Sequence, residues 1–158
     1  LGVTEAGFYF DELTVELISD GCHIPANLLK LIFKLKDRDH IIGISDSMRG
    51  AGFESGDSIL GPKNNGAPVV IEVGVSKLSD SSCFAGSIAT GIRLVKTLST
   101  LAGERIVSVF KTVSYNPARV IGMENEIGSL EVGKYGDFII FDDDFKLDSV
   151  YISGEKVR

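Results

Sequence analysis

Residues 12 to 45 switch between two hydrophobic patterns in a way that leaves few folds open. "ELTVELISDG" (12–21) is an apolar, β-branched run that closes on Asp20-Gly21, as a buried strand does. "IPANLLKLIFKLKDR" (24–38) comes next, with Pro25 suited to a first helical turn and Leu28, Leu29, Ile32, Phe33 and Leu35 forming an apolar face. Lys34, Lys36 and Arg38 gather at its end, where the helix dipole favours cations. "HIIGIS" (40–45) is a second buried strand. Strand, helix, strand in so short a stretch is a βαβ unit, which implies an α/β fold with parallel pairing and a right-handed crossover.

The rest of the chain extends this unit. Residues 48 to 68 are rich in Gly, Ser, Asn and Pro and are expected to form loop, and "PVVIEVGVSKLSD" (68–80) is one arm of a hairpin with a glycine weakening its middle. From Ser87, the residues Ile88, Ile92, Val95, Leu98 and Leu101 repeat at helical spacing, with Gly103 as the stop. "ERIVSVFKTVSY" (104–115) predicts a further helix that ends near Asn116-Pro117, because the residue before a proline avoids the α region. Asn116 is then placed to cap a short new helix with Pro117 at its first position. After Gly122 the texture changes to three short strands, 137–141, 147–152 and 155–157, with turns at Gly133, Gly136, Asp142–Asp144 and Gly154.

Composition narrows the functional classes. The 158 residues suffice for one domain with a sizeable core, and the net charge of −6 supplies no basic stripe to follow nucleic-acid phosphates. No apolar run approaches the ~20 residues that span a bilayer. Cys22 and Cys83 are isolated thiols, neither a disulfide scaffold nor a CxxC metal site, so a reduced, cytoplasmic setting is expected. The chain begins without Met and stops on a charged residue beside a strand, so an excerpt of a longer polypeptide is expected.

Two strand ends could carry chemistry: Asp20-Gly21-Cys22-His23 and Ser45-Asp46-Ser47. In parallel α/β folds the carboxyl ends of the strands build the site, so His23 and Asp46 emerge on one face if both strands share a sheet. Asp46 is open to two readings, a turn or helix cap and a proton-transfer group at a strand mouth. His23 is equally open between a satisfied loop histidine and a ligand contact. His40 precedes a strand on the opposite side and receives no role. "CFAGS" (83–87) reads as a tight turn ahead of a helix, whose N–H groups could meet an anionic substrate group unless Ser87 is an ordinary N-cap. "DDDF" (142–145) reads as a solvated turn. Zinc takes three or four His, Cys, Asp or Glu ligands, and two histidines at opposite strand ends cannot assemble them, so no metal ligand is assigned within the chain.

Taken in order, "VELISDGCHIP", "IIGISDSMRGAG", "FAGS", "SYNPARVIGMENEIGSLEVGKYGDFIIFDDDFKL" and "VYISGEKV" resemble the C-terminal part of the N-acetylglucosamine-6-phosphate deacetylase family within the metal-dependent amidohydrolases. The "GSLEVGKYGDFII" block is shared widely among amidohydrolases, so a dihydroorotase-like or deaminase-like member stays an alternative, while "DGCHI" and "FAGS" are narrower. The resemblance implies the last two βα units of a (β/α)8 TIM-like barrel over residues 1–123 and the C-terminal strands of a small β-sandwich domain over 124–158. It makes 13–20 and 41–46 the seventh and eighth barrel strands. It implies that Asp46 acts as general base and then general acid, taking a proton from a zinc-bound water and returning it to the leaving amine of an amino-sugar phosphate. It places His23, Phe84, Ala85 and Gly86 against the substrate, Phe84 standing where the family carries leucine. The family's divalent metal, zinc by resemblance, is held by a glutamate and two histidines on earlier strands, and an arginine there grips the phosphate; none can be placed in this chain. A homodimer is implied, with no nucleic-acid or membrane partner. Standing alone, the chain is expected to be inactive and poorly soluble, or else to serve as a non-catalytic truncated module.

Overall fold

The computed structural model describes residues 2–80 and 82–158. Helix α1 (Val3–Tyr9), which no sequence pattern announces, leads into strand β1 (Val15–Ile18), helix α2 (Ala26–Leu35) and strand β2 (Ile41–Ile44). β1 and β2 pair in parallel, Val15 opposite Ile41 through Ile18 opposite Ile44, so the βαβ reading holds. Of the apolar face expected on α2, Leu29, Ile32 and Phe33 are buried while Leu28 and Leu35 are exposed. Of the three terminal cations, Arg38 caps the helix, donating from Nη1 to the Phe33 carbonyl at 2.9 Å. Lys36 is instead buried and donates from Nζ to the carbonyls of Phe10 and Asp11 at 2.6 and 3.2 Å, which ties the N-terminal segment down.

The loop expected over 48–68 is partly a strand. β3 (Gly56–Leu60) pairs antiparallel with β4 (Ala67–Glu72), and β4 with β5 (Val75–Leu78). The run 68–80 thus supplies both arms of a hairpin rather than one, and Gly74 forms its turn rather than weakening a strand. Polar Gly56, Asp57 and Ser58 hide β3 from the sequence because its pairing, not its side chains, makes it a strand.

The helix expected from Ser87 begins only at Gly91. Ser87–Thr90 run extended into α3 (Gly91–Thr97), which continues as a wider π turn over Leu98–Ala102 and ends at Gly103 in the left-handed conformation, as expected of a stop. The predicted break at Asn116 is also absent. Helix α4 (Ile106–Phe110), a π turn over Lys111–Tyr115 and α5 (Asn116–Val120) are continuous, and Tyr115 and Asn116 are both right-handed helical. The π turn lets the Asn116 N–H reach the Lys111 carbonyl, one residue farther back than in an α-helix, where a following proline has no N–H to give. Asn116 caps nothing. It is fully buried and donates from Nδ2 to the carbonyls of Arg38 and Ile41 at 2.6 and 2.8 Å, pinning the start of β2.

The main core joins these parts. Leu17, Ile41, Leu29, Ile32 and Phe33 pack against Val95, Leu98, Ala102 and Val109. Gly43 allows the approach, since a Cβ there would lie 3.0 Å from both Leu98 Cδ1 and Val113 Cγ1. The C-terminal segment forms a meander of β6 (Phe138–Phe141), β7 (Leu147–Ile152) and β8 (Glu155–Lys156), close to the expected bounds. Phe138 stacks on Tyr151 with ring centroids 4.4 Å apart, while Phe141 reaches back to Phe110 at 5.9 Å. Asp142 turns the chain by accepting from the N–H groups of Asp144 and Lys146, so "DDDF" is a turn. No helix among the described residues is long and apolar enough to cross a membrane.

Candidate functional site

The carboxyl ends of β1 and β2 open side by side. After β1 the chain turns through Asp20, whose carboxylate organises the loop to His23. Its Oδ1 accepts from the N–H groups of Cys22 and His23 at 2.9 and 3.0 Å, and its Oδ2 accepts from His23 Nδ1 at 2.9 Å. A carboxylate only accepts, so this contact puts the proton on Nδ1 and turns Nε2 outward. Burial alone would raise the Asp20 carboxyl, but the His23 and Cys22 N–H groups and the His23 ring outweigh it and hold the group below its ordinary value. The sequence marks Asp20 only as a strand end; the structure shows that it aims His23.

After β2, Asp46 is exposed and adopts φ 51°, a left-handed conformation rare for a residue other than glycine. Its carbonyl accepts from Ser87 N–H at 2.8 Å, and Met48 N–H returns to the Ser87 carbonyl at 2.8 Å, so 46–48 and 87 form a parallel bridge. Ser47 Oγ adds a bond to the Ala89 carbonyl. Asp46 therefore caps neither a helix nor a turn through its side chain. Its backbone is fixed, and among the described residues nothing donates to its carboxylate.

"FAGS" does not run straight into a helix, because α3 starts four residues later; it is a bridging arm that bends at Gly86. Ala85 N–H donates to the Ser76 carbonyl at 3.0 Å, Ser76 Oγ donates to the Ala85 and Gly86 carbonyls, and Phe84 bridges Lys77. The arm is held by β5 on one side and by the Asp46–Met48 segment on the other. Gly86 is needed there: its φ is +68°, and a Cβ would come within 3.2 Å of the Asp46 carbonyl. The Phe84 ring lies against the His23 ring, centroids 4.9 Å apart and tilted by 53°. His23, Phe84, Gly86 and Asp46 thus adjoin on one surface, with Ala85 buried beneath the arm, whereas His40 sits in the Arg38–His40 turn at the other end of β2.

Arg93 on α3 carries no motif, yet it stands behind this surface. Its Nε donates to the Asp20 carbonyl at 2.9 Å, its Nη1 to the Gly74 carbonyl at 2.9 Å, and its Nη2 contacts Cys22 Sγ at 3.2 Å.

A metal does not fit this surface on the chain's own residues. Among the described residues no three His, Cys, Asp or Glu side chains come together as a ligand set. Both Asp20 oxygens are spent on hydrogen bonds, and Asp46 stands alone.

A βαβ unit whose strand mouths carry Asp-Gly-Cys-His and Ser-Asp, flanked by an Ala-Gly-Ser arm, matches a known class. The model of the amidohydrolase family matches residues 3–157, so the chain belongs to the amidohydrolase family. Within it, the chain is 30% identical to an N-acetylglucosamine-6-phosphate deacetylase of Vibrio furnissii over 156 residues, 99% of this chain and 38% of that protein. The N-acetylglucosamine-6-phosphate deacetylase of Thermotoga maritima superposes with a TM-score of 0.86 at 30% identity, over 99% of this chain and 42% of that one. A protein of Escherichia coli (strain K12), provisionally named an N-acetylgalactosamine-6-phosphate deacetylase, is 29% identical over 98% of this chain and 89% of its own length. The chain thus spans well under half of the first two relatives and nearly all of the third. The mixed α/β structure is like the corresponding region of the Thermotoga enzyme.

Proposed function

We propose that this chain is the C-terminal part of an enzyme that hydrolyses the N-acetyl group of N-acetylglucosamine 6-phosphate, giving glucosamine 6-phosphate and acetate. The observation that carries the reading is the contiguity of His23, Phe84, Gly86 and Asp46 at the mouth of a parallel strand pair, in a chain similar to such deacetylases over almost its whole length. Asp46 is the proton-transfer residue: exposed and unpartnered, it accepts a proton from the attacking water and passes one to the departing amine. His23, with Nδ1 committed to Asp20, presents Nε2 to a polar group of the phosphorylated sugar. Phe84 and Gly86 line the sugar's path, with buried Ala85 supporting them from beneath.

In this reading residues 1–123 are the last two βα units of a TIM-like barrel and 124–158 belong to a small β-domain. The divalent metal expected of the family, with zinc as its identity, is held by residues outside this chain. The whole protein is a cytoplasmic homodimer, and the two unpaired cysteines are in keeping with a reducing compartment. The likeness to the Escherichia coli protein favours one second reading, the galacto epimer of the same substrate. The test is acetate release by the full polypeptide carrying this sequence, with both N-acetylhexosamine 6-phosphates set against a panel of cyclic ureides and nucleobases. Hydrolysis of either sugar phosphate supports the deacetylase class and names the epimer. Turnover of a ureide or base alone overturns it.

A further inference from the structure

We propose that Arg93 is a positioning residue of this site, fixing the Asp20–His23 loop against the β4–β5 hairpin and so setting substrate affinity through His23. The inference rests on the deacetylase reading for its kinetic test and on geometry for the rest. Three nitrogens of one guanidinium reach three acceptors on two segments: the Asp20 carbonyl and Cys22 Sγ in the loop after β1, and the Gly74 carbonyl in the hairpin turn. A planar fork spreads its N–H groups over three nitrogens and so spans both segments at once; a lysine ammonium gathers its donors on a single nitrogen and cannot span them. The guanidinium abuts the hairpin turn, since a Cβ on Gly74 would sit 3.6 and 3.7 Å from Nη1 and Nη2. Among the described residues Arg93 has no carboxylate partner, so its charge is spent on these acceptors.

The consequence runs through Asp20. Arg93 holds the main chain of the residue whose carboxylate holds the His23 ring, and Phe84, against that ring, sits on the arm paired to β5 of the same hairpin. Releasing the guanidinium frees the Asp20–His23 wall from the hairpin turn, while the Phe84–Ser87 arm keeps its own bonds to Ser76 and to Asp46.

The test uses the full polypeptide with Arg93→Ala and Arg93→Lys. In Arg93→Ala, KM should rise about tenfold while kcat stays within about threefold, the change expected when binding but not proton transfer is lost. Adding it to His23→Ala should raise KM no further, because both changes act through one group. Hydrogen exchange at the Cys22 and His23 amides should quicken about tenfold or more, with 41–44 unchanged. Arg93→Lys should behave like the alanine variant. A lysine variant equal to the parent, unchanged exchange at residues 22–23, or exchange that quickens equally in 41–44 would each overturn the proposal. If the parent hydrolyses no amino-sugar phosphate, the deacetylase reading fails, and exchange alone still decides the role of Arg93.

Discussion

The two ends of the β1–β2 pair spend their polar side chains differently. At the amino-terminal end the long polar side chains are taken up by the fold, with Asn116 on the Arg38 and Ile41 carbonyls, Lys36 on Phe10 and Asp11, Arg38 in a two-pronged pair with Glu104, Arg119 on the Asp39 carbonyl, and Lys111 with Asp39. His40 Nδ1 and Asn116 Oδ1 are buried there without a partner among the described residues. At the carboxyl end the backbone is just as firmly held, but the Asp46 carboxylate and the second nitrogen of His23 have no partner among the described residues. A fixed backbone carrying unspent polar groups is what a binding or reacting surface requires. One end should therefore respond to mutation through stability and the other through activity.

The largest effect belongs to Asp46. Asp46→Asn in the full polypeptide keeps the shape and removes the proposed proton acceptor, so kcat should fall by about 10²–10⁴-fold with substrate binding and melting temperature little changed. Steady-state kinetics beside a thermal melt read both quantities. An active asparagine variant would erase the distinction between the ends.

The converse is Asn116→Ala. It removes a donor from the buried Ile41 carbonyl and the part-buried Arg38 carbonyl and should cost about 1–3 kcal/mol of stability. Denaturant unfolding measures this, and activity per folded molecule should match the parent. Loss of kcat in a folded Asn116→Ala protein would make the amino-terminal end functional after all.

How far this contrast is legible in the sequence depends on what each residue uses to reveal itself. β1, α2 and β2 stand out because apolar periodicity is a local property, and the places where those strands end single out Asp20, His23 and Asp46. β3 does not stand out, because Gly56–Asp57–Ser58 has no apolar alternation and becomes a strand only through β4. Asn116-Pro117 misleads, because a π turn absorbs the missing proline N–H that would otherwise end the helix. Ser87 misleads in the same way: its partners are Asp46 and Met48, 41 and 39 positions away. Arg93 belongs to no motif and is recognised only when three distant acceptors are brought around it. Local chemistry is written in the sequence, while pairing over distance is not.

His23→Ala sharpens the contrast within the carboxyl end. A contact from a histidine to a phosphorylated sugar is worth about 1.5–3 kcal/mol, so KM should rise by about tenfold or more. kcat should stay near the parent value, because His23 takes no part in the proton transfer assigned to Asp46. A fall confined to kcat would move His23 from binding to chemistry.

The smallest effect compares one carboxylate from each end under acid. The Asp20 carboxyl is held below its ordinary value of 3.8: burial pushes it up, and its bonds from His23 and Cys22 more than reverse this. A group whose folded value is depressed lends stability that is complete above its unfolded value and lost as pH falls through the folded one. The window for Asp20 is therefore below about pH 4. Asp39 is also held low, first by its bond from Lys111, but both side chains are about two fifths exposed and solvent screens the pair. Asp20→Asn should thus flatten the fall in melting temperature below pH 4 more than Asp39→Asn does. The reason is that the Asp20 carboxylate is buried and takes three donors, so protonation there disrupts a loop, whereas at Asp39 it releases one surface lysine. Equal flattening in the two variants would mean that the Asp20 loop is no better held than an exposed ion pair, and with it would go the ground for treating the His23 orientation as fixed.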